Sequence, residues 1–295
     1  MAAPFLILIG LGLFGWAWAK SGSLGVMVGS TGSESQSTTA APTAGINGSL
    51  AFWGTLALNI PDFARYAKSQ RDQVIGQAIA LPATMTLYAF IGAAVTNATV
   101  VIFGTAIANP VELSAKIGGP AVALISMFAL GLATLSTNLA ANVVSPANDI
   151  SNLAPHKISF RKGAVIAAIV GCLFMPWKIA GNVINWLGAY GAVLGAVGGV
   201  MIADYYIVRK TVLVVDELYE RNGRYEFKRG FNPIALAALF IGVAVNLPGM
   251  LQKLGFITTN DFFNGIYGWG WFTAFFVAGT AHVILTKLFG SPENN

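Results

Sequence analysis

An all-α integral membrane protein with about eight transmembrane helices is what the sequence predicts, on three observations. Of its 295 residues, 55% are hydrophobic and only 10% are charged, against roughly a quarter charged in soluble domains. The charges are also confined. Uncharged runs of 39 residues separate Asp72 from Glu112 and of 32 separate Lys116 from Asp149, and runs of 23 to 25 recur from Lys178 to Asp204, Arg229 to Lys253 and Asp261 to Lys287. Each is long enough for the ~20 apolar residues that cross a bilayer as a helix. The runs are continuously apolar rather than alternating, which argues against a membrane β-barrel. The same composition excludes a soluble globule, a disordered tail and a nucleic-acid binder with a basic surface patch.

Eight spans follow in order. The first, about 4–19, has no basic segment before it and stays apolar through Trp16, so it reads as a membrane helix and not as a signal peptide. Residues 21–49 are rich in Gly, Ser, Thr and Ala and read as a flexible external loop. The second span, 49–66, carries Trp53-Gly54-Thr55 and then Asn59-Ile60-Pro61-Asp62, a helix breaker beside a carboxylate. The third is 78–103. The fourth, 120–144, holds Thr134, Ser136, Thr137, Asn138 and Asn142 inside an uncharged run. The fifth and sixth are 163–180 and 183–208. The charged stretch 209–230 comes next, with 212–219 read as a short strand or an interfacial helix and Asn222-Gly223 as a tight turn. The last two spans are 232–251 and 266–287.

The basic residues set the expected orientation. Thirteen of the 17 Lys and Arg fall in alternate loops on one side, and Lys20, Lys116, Lys178 and Lys253 fall on the other. Lys and Arg favour the cytoplasmic side, so both ends of this chain are expected there. The net charge of +5 is therefore a topology signal and needs no polyanionic partner. A lone Cys172 offers neither a disulfide framework nor a thiolate metal site. His156 and His282 read as incidental. Asn47-Gly48-Ser49 and Asn97-Ala98-Thr99 match glycosylation acceptors.

Polar residues at membrane depth usually face a bundle interior and mark a pathway or a helix contact. Thr134, Asn138 and Asn142 recur every four residues and share one helix face. Ala133, Ser136 and Thr137 share another. Two hydroxyls and a backbone carbonyl suit a hard cation such as Na⁺; the alternative is that each hydroxyl bonds back to the carbonyl four residues before it. Trp53 is either an interfacial anchor or a stacking platform for a flat ligand. Asn142 can both donate to and accept from a cyclic amide edge.

Two strings carry a resemblance. Residues 56–77, with Asn59-Ile60-Pro61-Asp62-Phe63-Ala64-Arg65-Tyr66 at their centre, resemble a signature of the nucleobase:cation symporter family 1, in the branch of allantoin and uracil permeases. Residues 132–149, with Ala133-Thr134-Leu135-Ser136-Thr137-Asn138 and Ser145-Pro146-Ala147-Asn148-Asp149, are similar to the family's eighth helix and the loop after it. Pro176-Trp177-Lys178 and Asp204-Tyr205-Tyr206 fit downstream.

The resemblance implies a five-plus-five inverted-repeat transporter fold followed by two C-terminal helices, with sites near the midplane. On it, 1–48 is the family's helix five and an external loop, and 49–208 is the second repeat, helices six to ten. Residues 209–231 are then a cytoplasmic loop, and 232–295 are the last two helices and a short tail. Helices one to four have no counterpart, so the chain is expected to be incomplete and not to transport alone. It would need those helices or a complementing chain; the alternative is a non-transporting remnant or one half of a split transporter.

The resemblance also implies roles. Trp53 packs against the substrate ring, Asn142 bonds it, and Leu187 gates it. Ala133, Ser136 and Thr137 supply half of a sodium site. Phe52 stands beside Trp53 where the hydantoin transporter of the family has Gly, so the choice of heterocycle is open, as is the choice between Na⁺ and H⁺. No organic cofactor is implied. The expected substrate is a planar nucleobase, ureide or hydantoin, and the expected location is a plasma membrane, the inner membrane in a bacterium. Without H-E-x-x-H or G-x-S-x-G, no enzyme is read, and no channel filter or charged ring is visible.

Overall fold

Helix signals in the sequence become helices at each expected span. The computed structural model describes residues 2–29, 40–179, 183–220, 223–227 and 230–290. Among them no strand occurs. In chain order the α-helices are α1 (Ala2–Ser21), α2 (Leu24–Val28), α3 (Ala40–Ala64), α4 (Gln70–Phe103), α5 (Pro110–Asn138), α6 (Val144–Leu153), α7 (Phe160–Leu173), α8 (Pro176–Ile179), α9 (Val183–Ala203), α10 (Pro233–Ala244), α11 (Leu247–Lys253), α12 (Asp261–Gly268) and α13 (Gly270–Phe289). Two π-helical stretches, Leu139–Val143 and Asp204–Val208, continue α5 and α9.

Caps set the ends. Ser69 accepts from the Asp72 amide at 3.1 Å and opens α4; Asn109 before Pro110 and Asn232 before Pro233 do the same for α5 and α10. A side-chain oxygen at the N-cap satisfies amides the first turn leaves open, and Pro fits the next position because its missing N–H is not needed there. Gly119 (φ 70°) breaks α5 just before Pro120, the residue at which the fourth predicted span starts.

Among the described residues, five helical runs are long and apolar enough to cross a membrane: Gln70–Phe103, Pro110–Leu153, Phe160–Lys178, Leu187–Val208 and Gly270–Phe289. The pair α10 and α11, bent by 50°, makes a sixth. The first two predicted spans correspond to α1 and α3, and α1 holds a shorter apolar stretch, Leu6–Ser21. Little of this surface is covered by the chain itself. Leu124, Ile125 and Phe128 on α5 are each about two-thirds exposed or more, as expected of faces meant for lipid or for further helices.

Two units divide the chain. The first holds the described residues within 1–34 and 61–174, the second those within 35–60 and 175–295. In the first, α1 and α2 pack on α4 around Ala17, Met27, Ile91, Ala94, Val95 and Ala98, and α6 packs on α7. In the second, α9, α10 and α13 pack together around Ala196, Ala274 and Ala278. The closeness is set by small residues: a Cβ on Gly199 would lie 2.1 Å from the Phe275 carbonyl oxygen. Without a hydrophobic force between helices in lipid, such close backbone packing is a main source of cohesion.

Several local expectations change. Part of 21–49 is ordered helix: Ser23 caps α2, Met27 is fully buried, and Asn97 donates to the Met27 carbonyl at 3.2 Å. That bond places the Asn97 acceptor motif inside α4, where Thr99 accepts from the Ile107 amide at 2.9 Å. The stretch after Arg209 forms a 3₁₀-helix, Val215–Tyr219, not a strand. Asn222, half of the expected turn, lies outside the described residues.

Candidate functional site

The second span supplies the aromatic candidates. Ala51 and Gly54 are three residues apart on α3 and share one face, which packs on α9 in the second unit. A Cβ on Gly54 would sit 3.0 Å from Leu194 Cδ1, and one on Gly191 would sit 2.5 Å from Ala51 Cβ. Phe52 and Trp53 occupy other positions around α3: Phe52 is exposed and Trp53 half-buried. Their rings meet edge to face, 5.1 Å apart at 76°. Leu187, half-buried, lies one turn before Gly191 on α9. The aromatic pair and the gate candidate thus belong to one closely packed helix pair.

The fourth span carries the amide and cation candidates, all in the first unit. Asn138 Nδ2 donates to the Thr134 carbonyl at 3.1 Å, and Asn142 Nδ2 donates to Asn138 Oδ1 at 2.5 Å. The predicted polar face is a hydrogen-bonded ladder. Asn142 ends it inside the π-helical stretch and is exposed there. π-Bulges within α-helices concentrate at functional sites. An amide has four hydrogen-bonding positions, and the ladder uses one of them on Asn142, which leaves Oδ1 and one N–H open.

Ala133 is buried, whereas Ser136 and Thr137 are exposed. Thr84 and Ser114 bond back to the carbonyls of Ala80 and Pro110, at 2.6 and 2.7 Å. Among the described residues, Ser136 and Thr137 make no such bond.

Sequence reasoning missed two polar clusters. Asp62, buried at the end of α3, accepts from Ser145 Oγ at 2.6 Å, Asn148 Nδ2 at 2.8 Å and Arg65 Nη2 at 2.5 Å. Ser145 is fully buried. The carboxylate therefore ties α3 to the first turns of α6, directly after the turn that carries Asn142. The signal was present as a carboxylate beside Pro61, but its partners Ser145 and Asn148 lie more than 80 residues away. In the second unit, His282, buried in α13, bonds Asp204 Oδ1 through Nε2 at 3.1 Å, while Arg209 Nε holds Oδ2 at 2.5 Å. Asp204 opens the second π-helical stretch.

Polar groups gathered at irregular turns within membrane-length helices are a feature that secondary transporters share. Residues 1–290 match the profile of the permease family for cytosine/purines, uracil, thiamine and allantoin, and the chain belongs to that family. It is 39% identical over 306 residues to the purine-uracil permease NCS1 of Arabidopsis thaliana, covering 100% of this chain and 50% of that one. It is 38% identical over 292 residues to the allantoin permease of Bacillus subtilis, covering 97% and 58%. Among solved structures, the inward-facing conformation of Mhp1 matches with a TM-score of 0.66 and 27% identity, covering 100% of this chain and 62% of that one. The chain spans about half the length of the curated relatives it matches. The family is one of permeases, not enzymes.

Proposed function

We propose that this chain carries substrate- and cation-binding elements of a symporter for planar nucleobases or related heterocycles such as allantoin, uracil or hydantoin. Transport is assigned to a protein that also holds a counterpart of the length its relatives have beyond this match, on the same polypeptide or on another. The observation that carries the reading is Asn142, exposed in a π-wound turn with three of its amide's four hydrogen-bonding positions uncommitted among the described residues.

In this reading the ring stacks on Trp53, beside Phe52, and a cyclic amide edge bonds Asn142. Leu187 closes over the bound ring. The Ala133 carbonyl and the Ser136 and Thr137 hydroxyls hold Na⁺, or a proton-carrying equivalent, and no cofactor takes part. A cation bound there favours the state that admits substrate, so its gradient drives uptake. Residues 49–208 act as the second repeat, with 1–48 before it, the cytoplasmic loop 209–231 after it and two closing helices in 232–295. Both ends of this chain face the cytoplasm, across a plasma membrane, as the 13-to-4 split of basic residues supports.

Replacing Ser136 and Thr137 together by Ala tests the cation assignment. Uptake of radiolabelled uracil and allantoin is measured under an imposed Na⁺ gradient and, separately, a proton gradient. The expected result is loss of the dependence on one gradient with the protein still present in the membrane. Uptake that follows both gradients as in the unaltered protein contradicts the assignment.

A further inference from the structure

The second unit contains a basic cavity that none of the proposed substrate- or cation-binding residues lines. It has a volume of about 490 Å³ and lies where two membrane-crossing runs end, Leu187–Val208 and Gly270–Phe289. In the topology proposed above, that end of the two runs meets the membrane–water interface. Arg209, Lys210, Arg224 and Lys287 line it, and no acidic residue does among the described residues. Asp204 engages one Arg209 nitrogen and Glu217 stands 3.8 Å from Arg224 Nε. Lys210 and Lys287 have no ion-pair partner among the described residues. Two positive charges are thus left over in a confined space.

Three further features point to an anionic occupant. Thr286, only 8% exposed, lines the cavity with its Oγ1 buried and unpartnered among the described residues. Buried hydroxyls normally find a partner. Arg209 Cζ stands over the Tyr225 ring, 4.7 Å from its centroid, which holds the guanidinium in place, and among the described residues only its Nε is paired with a carboxylate. Lys210 and Thr211 both adopt positive φ, 50° and 66°. Such backbone is costly for residues with a Cβ, above all a β-branched one, and collects at functional sites.

The cavity does not end at its polar wall. Ile207 and Val283 also line a second hollow of about 330 Å³, an apolar groove along α9 and α13 floored by Gly199 and Gly279 and walled by Phe275 and Phe276. Charge at the interface leading into an apolar groove toward the membrane interior is the shape of a lipid. We propose that the cavity seats the phosphate headgroup of an anionic phospholipid and the groove takes one of its acyl chains. Basic pockets between membrane helices on the cytoplasmic side recognise such headgroups, and the basic-residue bias assigns this end to that side. A soluble phosphate would use the cavity alone.

Native mass spectrometry of the purified full chain, delipidated and then titrated with phosphatidylglycerol or phosphatidylcholine, tests this. Phosphatidylglycerol is expected to be retained about ten-fold better than phosphatidylcholine, and excess inorganic phosphate not to displace it. Lys210→Ala combined with Lys287→Ala should reduce retention about ten-fold, and the pair replaced by Arg should keep it. Val283→Trp, which fills the groove mouth, should reduce retention with the charges intact. Circular dichroism and gel filtration establish that each variant is folded. Equal retention of the two lipids, full displacement by phosphate, or retention unchanged in the Ala pair would overturn the proposal.

Discussion

Trp53→Ala is expected to abolish high-affinity uptake while the protein still reaches the membrane. The face of α3 that holds the helix in place is the one with Ala51 and Gly54, where close approach to α9 forbids larger side chains. Trp53 is half-buried and does not belong to that face. Its removal should therefore spare the fold. Stacking of a base on an aromatic ring is worth about 1–3 kcal/mol by alanine substitution, which is roughly five- to more than a hundred-fold in affinity. Trp53→Phe should recover much of it, because a smaller flat face remains. An interfacial anchor behaves otherwise: Trp53→Ala would then lower abundance and leave substrate affinity unchanged, and that outcome removes Trp53 from the substrate site.

A comparable loss, by a different route, is expected of Asp62→Ala. The substitution strands Ser145, which is fully buried, and frees Asn148 and Arg65. Leaving a buried neutral polar group unpaired costs on the order of 1–3 kcal/mol. Here the Arg65 pair adds little of this, since its side chain is half exposed and exposed pairs are screened. The cost falls mainly on the two hydrogen bonds to α6. We expect a lower melting midpoint in detergent and a sharp fall in uptake, as the turn holding Asn142 loses its anchor. Asp62→Asn keeps an acceptor for Ser145 and should lose less. A melting midpoint and uptake unchanged in Asp62→Ala would show that the cluster holds nothing in place.

How far the sequence could be read depended on the range of the interactions. Uncharged runs located the helices because the bilayer imposes its length on any sequence that crosses it. The face shared by Thr134, Asn138 and Asn142 was legible from spacing and is present as a ladder. The π winding at Asn142 was not, because one extra residue in a turn leaves no mark in an apolar pattern. The cluster at Asp62 joins residues 83 and 86 positions apart, and the Asp204–His282 pair spans 78. Such pairings depend on which helices pack together, and one chain read alone does not reveal that. The apparent loop before α3 misled for a related reason: small polar residues read as flexible, yet Met27 among them is an apolar plug for α4.

The most direct measurement of the central claim is a chemical one, made on the site's recognition of an amide edge. Uracil, allantoin and hydantoin are tested for saturable binding to the purified transporter that contains this chain. The ring that binds is then compared with its N-methylated form, 1,3-dimethyluracil in the case of uracil, in the unaltered protein and in Asn142→Ala. Methylation removes the donors that Asn142 would accept from. The expected result is a loss of about ten-fold or more on methylation in the unaltered protein, as for a buried hydrogen-bonding group left unpaired, and no further loss in Asn142→Ala. Equal binding of both rings to the unaltered protein, or the same methylation penalty in the variant, would contradict the account.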